Sequence, residues 1–161
     1  MRRLLATTLL ALALPAAAQV VPQQNWSDMW FNASESGWGL SFMQHRDSNQ
    51  VYAVWYTYDP READPAGQFK PLWIVMAGGT WSASNRISGP VYVLTAAPVT
   101  QPWNPGNLKL DTVGTFTIEF TGGSTGTFTY DIRPPANAAG GSPAFNLPVM
   151  SGTKAIERQV F

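Results

Sequence analysis

The chain has no cysteine and one histidine among 161 residues. The missing thiols exclude disulfides, a cysteine nucleophile and any thiolate-held zinc or iron–sulfur centre. With His45 as the lone imidazole, the residue types that hold transition metals are nearly absent. Charge is also scarce. Ten basic and ten acidic side chains make up 12% of the residues and sum to zero. No basic stripe exists to release counterions from a nucleic acid, so that class of partner is set aside. Long helical periodicity is missing too: no stretch keeps a 3.6-residue apolar repeat for ten positions without Gly or Pro.

The N-terminus carries the plan of a secretory signal peptide. Arg2 and Arg3 precede an apolar run from Leu4 to Leu14, and Ala16, Ala17 and Ala18 form a small-residue cleavage site. The run is too short to span a bilayer, and no later stretch is long enough. The expectation is a leader over residues 1–18 and a single exported domain over 19–161, periplasmic or extracellular, in a bacterium. No cysteine follows the leader to take a lipid anchor.

What the chain does have is alternation. Trp38, Leu40 and Phe42 share one face of a strand running to Gln44. Val51–Tyr58 places Tyr52, Val54, Tyr56 and Tyr58 on one side and Val51, Ala53, Trp55 and Thr57 on the other, so both faces of it read as partly covered. Leu72–Ala77 reads as a strand ended by Gly78 and Gly79, and Arg86–Thr95 as strand broken at Gly89–Pro90. Phe116, Ile118 and Phe120 alternate with Thr115, Thr117 and Glu119; Phe128, Tyr130 and Ile132 repeat the pattern across a glycine-rich hairpin loop at 122–126. Lys154, Ile156 and Arg158 share one face of a last strand. Loops rich in Pro and Gly fill 59–71, 97–107 and 134–148. The fold expected is all-β: one antiparallel barrel or sandwich of about eight strands, with a lipocalin- or avidin-like meander among the options. The final Phe161 is an ending that outer-membrane barrels use, but neither register counted back from it gives a lipid-facing strand.

The densest segment is 25–47. The run Trp30-Phe31-Asn32-Ala33-Ser34-Glu35-Ser36-Gly37-Trp38-Gly39 resembles the W-[FY]-N-x-x-E-S-G-W-G motif of a family of secreted proteobacterial proteins. Trp55–Asp59, Pro71-Leu72-Trp73 and Lys154–Gln159 resemble its later elements, and the chain departs from the family in the long 59–71 loop. That family has no established activity. The resemblance implies a secreted β domain and names no reaction.

Seven tryptophans are generous for a domain of this size. They support a ligand site lined by Trp30, Trp38, Tyr56 and Trp73 with Glu35 as polar anchor; Lys154 and Arg158, if inward, would meet Glu35 or Asp59 or hold an anionic group. A structural corner around Trp38 explains the same residues, with Gly37 and Gly39 allowing a tight bend. The reading favours a binding module for a small apolar ligand or a glycan, with no cofactor, metal or catalytic residue assigned. Its rivals are a small hydrolase using Glu35 or Asp59 and a protein-interaction or inhibitor domain. Oligomeric state is not legible. Gly122-x-Ser124-x-Gly126 and Ser151–Lys154 match hydrolase and penicillin-binding motifs but sit in hairpin and strand contexts that cannot serve them. The acidic loop Asp59, Glu62 and Asp64 lacks the spacing of a calcium loop, and His45 reads as an exposed loop residue.

Overall fold

A computed structural model describes residues 20–160; the segment expected to be a leader, 1–18, lies outside the described residues, as do Gln19 and Phe161. Eight antiparallel strands follow one another round a closed barrel, each paired with its sequence neighbour and the last with the first. They are β1 (Asp28–Phe31), β2 (Gly39–Gln44), β3 (Val51–Ala63), β4 (Phe69–Ala83), β5 (Arg86–Thr95), β6 (Lys109–Gly122), β7 (Thr125–Ile132) and β8 (Met150–Arg158). Closure removes the free edges an open sheet would expose.

The period-two pattern decides which side chains fill the barrel. Leu40 and Phe42 of β2, Ala53 and Trp55 of β3, Ile74 and Met76 of β4, Ile87 of β5, Ile118 and Phe120 of β6, Phe128 of β7 and Ile156 of β8 all point inward and are buried. Because the order is a meander, successive loops alternate between the two ends. At one end the segment before β1 crosses the opening. Gln23 N–H donates to Ser84 O, and Trp26 stacks flat on Phe120 at 4.2 Å. At the other end the long connection between β7 and β8 folds over as a cap, burying Ala144 and Leu147 against the core.

Several sequence expectations change. β3 and β4 extend through most of the expected 59–71 loop as a long hairpin, with an irregular register between Tyr58 and Ala63. Asp64 Oδ1 accepts from Ala66 N–H and Gln68 N–H, which closes its tip. Gly78 and Gly79 do not end β4. Gly78 has φ 95, and the register shifts there while the strand runs on to Ala83. Gly89 does not break β5, because a side chain there would press on Met76, so the glycine admits close packing. The β6–β7 turn is tighter than expected, with only Gly123 and Ser124 between the strands.

Candidate functional site

The seven residues expected to line one site fall in three places. Glu35, Trp38 and Lys154 meet at the capped mouth. Trp30 and Arg158 lie near the opposite end. Tyr56 and Trp73 stand on the outer wall. A single pocket lined by Trp30, Trp38, Tyr56 and Trp73 is therefore not formed. The reason is parity: Tyr56 and Trp73 sit on the faces of β3 and β4 opposite to inward Trp55 and Ile74.

The mouth group begins with the β1–β2 loop. Asn32 organises it, its Oδ1 accepting from Ser34 N–H at 2.9 Å and Ser34 O–H at 2.7 Å. Gly37 turns the chain with φ 106, where a side chain would be strained. Lys154 Nζ donates to Glu35 Oε2 at 2.6 Å, and Trp38 Nε1–H donates to the same oxygen at 3.3 Å. The Lys154 ammonium holds the Glu35 carboxyl below the ordinary glutamate range, and the carboxylate in turn raises Lys154. Asn32 Nδ2 also donates to Ala155 O, and Ala33 N–H donates to Glu157 Oε1. β1 and β8 pair at only two positions, Trp30↔Arg158 and Phe31↔Glu157. The loop thus fastens the barrel's thinnest seam.

Trp30 is 1% exposed and structural: its Nε1–H donates to Trp26 O, and the Arg158 guanidinium lies 5.1 Å above its ring. Arg158 donates to Asp28 Oδ2 at 3.1 Å, not to Glu35 or Asp59. Asp59 is taken by Arg61, whose Nε donates to Oδ1 at 2.8 Å and whose second nitrogen donates to Oδ2 at 2.5 Å. The remaining nitrogen of Arg61 donates to the carbonyls of Pro143 and Phe145. Asp111 holds the cap from the other side, accepting from Ser142 O–H and from Ala144 N–H. Arg61 also keeps the Asp59 carboxyl below its usual range.

A carboxyl depressed in the folded state stabilises the fold fully above its unfolded pKa, near 3.8, and that contribution fades as pH falls through the lower folded value. An Asp59→Asn variant should therefore be less stable than the parent above about pH 4, with the gap shrinking at lower pH. Thermal melts across pH 2–7 check this expectation. A gap constant with pH would mean that the pair does not anchor the cap.

The outer wall holds a groove of about 690 Å³ over β2–β5. Its floor is Val54 and Val75, paired across the ladder and each 7% exposed although they point away from the barrel. Met43, Tyr52, Leu72 and Leu94 surround them, with Ser41 at the rim. Trp73 is 63% exposed and stands edge-on to Tyr56, ring centroids 6.0 Å apart. Tyr52, Val54 and Tyr56 were legible as one strand face; Met43, Val75 and Leu94 join them only through strand pairing. Around the other half of the wall the outward residues are Thr115, Thr117, Thr127, Thr129 and Thr153, beside Glu119 and Asp131. No helix among the described residues is long and apolar enough to cross a membrane. No protein-family model, curated protein or solved structure matches the chain.

Proposed function

We propose that the protein is an exported, non-catalytic binding module that holds a small ligand with a flat apolar face in the groove on its outer wall. The observation that carries this reading is Trp73: a large ring left mostly in water, braced by Tyr56, above an apolar floor. Exposed apolar surface gathered in a concave site is the usual mark of binding. Below its mouth the barrel has no room for a ligand, because Trp30, Phe42, Phe116, Phe120 and Phe128 fill it. A glycan is the second reading, favoured by the hydroxyl-bearing Tyr52, Tyr56 and Ser41 along the groove. The leader motif and the resemblance of 30–40 to a secreted family support export.

The two acids once suited to hydrolysis support the non-catalytic reading. Glu35 and Asp59 are each paired with a cation and held ionised. A general acid at neutral pH needs the opposite shift.

The test is a binding titration with two probes, an anilinonaphthalene dye and a soluble oligosaccharide series. Trp73→Ala should weaken whichever probe binds by about tenfold or more, the scale of one lost aromatic contact and its buried area. Its melting temperature should stay close to the parent's, since an exposed ring supports little of the core. Dye binding alone selects the apolar ligand, and oligosaccharide binding alone selects the glycan. Equal affinity of Trp73→Ala and parent for the bound probe refutes the assignment.

A further inference from the structure

The mouth contains more hydrogen-bond donors than the chain itself uses. Lys154 lies on the inward face of β8, between Gly152 and buried Ile156. Opposite it on β7 is Phe128, in contact with Trp38 at 6.2 Å, Trp55 at 5.3 Å and Tyr130 at 5.7 Å between ring centroids. The Trp55 ring lies 4.7 Å from that of Tyr130. Trp55 is 7% exposed, and its indole N–H is buried with no acceptor among the described residues. Gly152 leaves the space that Tyr130 needs, since a Cβ there would stand 2.7 Å from the Tyr130 hydroxyl. An ammonium, a phenol and a ring whose indole N–H is unpaired thus gather at one aromatic mouth, where Glu35 is the carboxylate paired with Lys154 among the described residues.

Glu35 reaches Lys154 from a loop turned at Gly37, and its side chain is 41% exposed. A carboxylate offers about four acceptor sites, but Glu35 receives only Lys154 and Trp38.

We propose that this mouth is a second binding site, a receptor for a carboxylate carried on an aromatic or apolar body, and that Glu35 fills it as an internal stand-in. An incoming carboxylate takes the Lys154 ammonium and adds the Trp55 N–H and the Tyr130 O–H as donors. Glu35 is released to water, so one anion replaces another beside Lys154 and the charge paired with the ammonium is unchanged. The ligand's ring lies among Trp38, Trp55 and Tyr130. The site is independent of the outer groove, whose floor, Val54 and Val75, faces away from the barrel.

Benzoate is the probe, with benzamide as its uncharged counterpart, measured by equilibrium dialysis on the purified protein. Removing the stand-in should expose the receptor. Glu35→Ala and Glu35→Gln should bind benzoate at least about tenfold more tightly than the parent, as expected for one charge-assisted contact no longer competed for. Benzamide should gain nothing. Adding Lys154→Met to Glu35→Gln should abolish the gain. Glu35→Gln preserves side-chain shape, and near-UV circular dichroism verifies that each variant keeps its packed aromatics. The proposal is overturned if both Glu35 variants bind benzoate no better than the parent, if benzamide gains equally, or if Trp73→Ala rather than Lys154→Met removes the binding.

Discussion

Gly114→Ala is expected to prevent the barrel from closing properly, the largest effect of any single methyl added to this chain. Gly114 has φ 149, and a Cβ there would stand 2.0 Å from the carbonyl oxygen of Asp131 and 2.9 Å from its carbonyl carbon. Both obstacles are backbone of the adjacent strand, so neither can rotate aside. The position is also a bulge. Val91 pairs with Gly114 and Tyr92 with Thr112, leaving Val113 as the extra residue. The bulge turns Val113 fully into the core and presents its carbonyl to Arg133 N–H. To accept alanine, β6 would have to leave β7 or surrender the bulge, and a slip by one residue turns inward side chains outward. We expect destabilisation beyond about 4 kcal/mol, a scale reserved for strain at such special backbone positions. Urea unfolding checks it, and a soluble variant within about 1 kcal/mol of the parent would mean that the bulge is dispensable.

Phe120→Ala should cost about 3–5 kcal/mol, the range for deleting a fully buried aromatic ring. Phe120 is the hub of the end that the N-terminal segment covers. Trp26 stacks on it at 4.2 Å, Trp30 leans on it at 4.9 Å, and Phe42 meets it edge-on at 5.3 Å. Trp81 approaches at 6.4 Å and is tied elsewhere, its Nε1–H donating to Asn49 O. Three tryptophans therefore lose a common neighbour, and collapse around the hole is limited because the Trp30 and Trp81 indoles are each tied to a backbone carbonyl. The urea midpoint should fall with little change in slope, and near-UV circular dichroism should lose intensity while the far-UV strand signal persists. A loss under about 1 kcal/mol would mean that the tryptophans repack into the space.

The fold was legible in the sequence because a small barrel is written in alternation. Phe116, Ile118 and Phe120 against Thr115, Thr117 and Glu119 fixed both the strand and its inward face. The same rule read β3 as a strand covered on both sides, and the structure gives the reason: Trp55 fills the barrel while Val54 lies under Tyr52, Tyr56 and Trp73 outside it. Extent was harder to read. The prolines and charges of 59–71 suggested a loop, yet Pro71 sits in β4 as the partner of Tyr58, beside an irregular register that relaxes the demand for a ladder donor. β1 went unread because four residues, two of them polar or half-buried, leave no period to count.

The site was legible only in part. For an inward Lys154, Glu35 was one of the partners the sequence allowed, beside Asp59 or a bound anion, and the structure selects it, while Arg158 goes to Asp28. The division of the aromatics between mouth and wall did not follow, since it depends on the parity of β3 against β4, fixed by pairing between residues seventeen apart such as Tyr56 and Trp73. The cap was beyond reach for the same reason. Arg61 and Asp111 grip carbonyls, a hydroxyl and an amide in 142–145, and groups of that kind carry no sequence signature.

The claim that the outer groove holds the ligand is tested most directly by native mass spectrometry of the parent and Trp73→Ala proteins, each purified gently from the same producing cells. The account predicts a reproducible extra mass on the folded parent, lost on denaturation and absent from Trp73→Ala. The same mass on both proteins, or a bare mass for both, would contradict it.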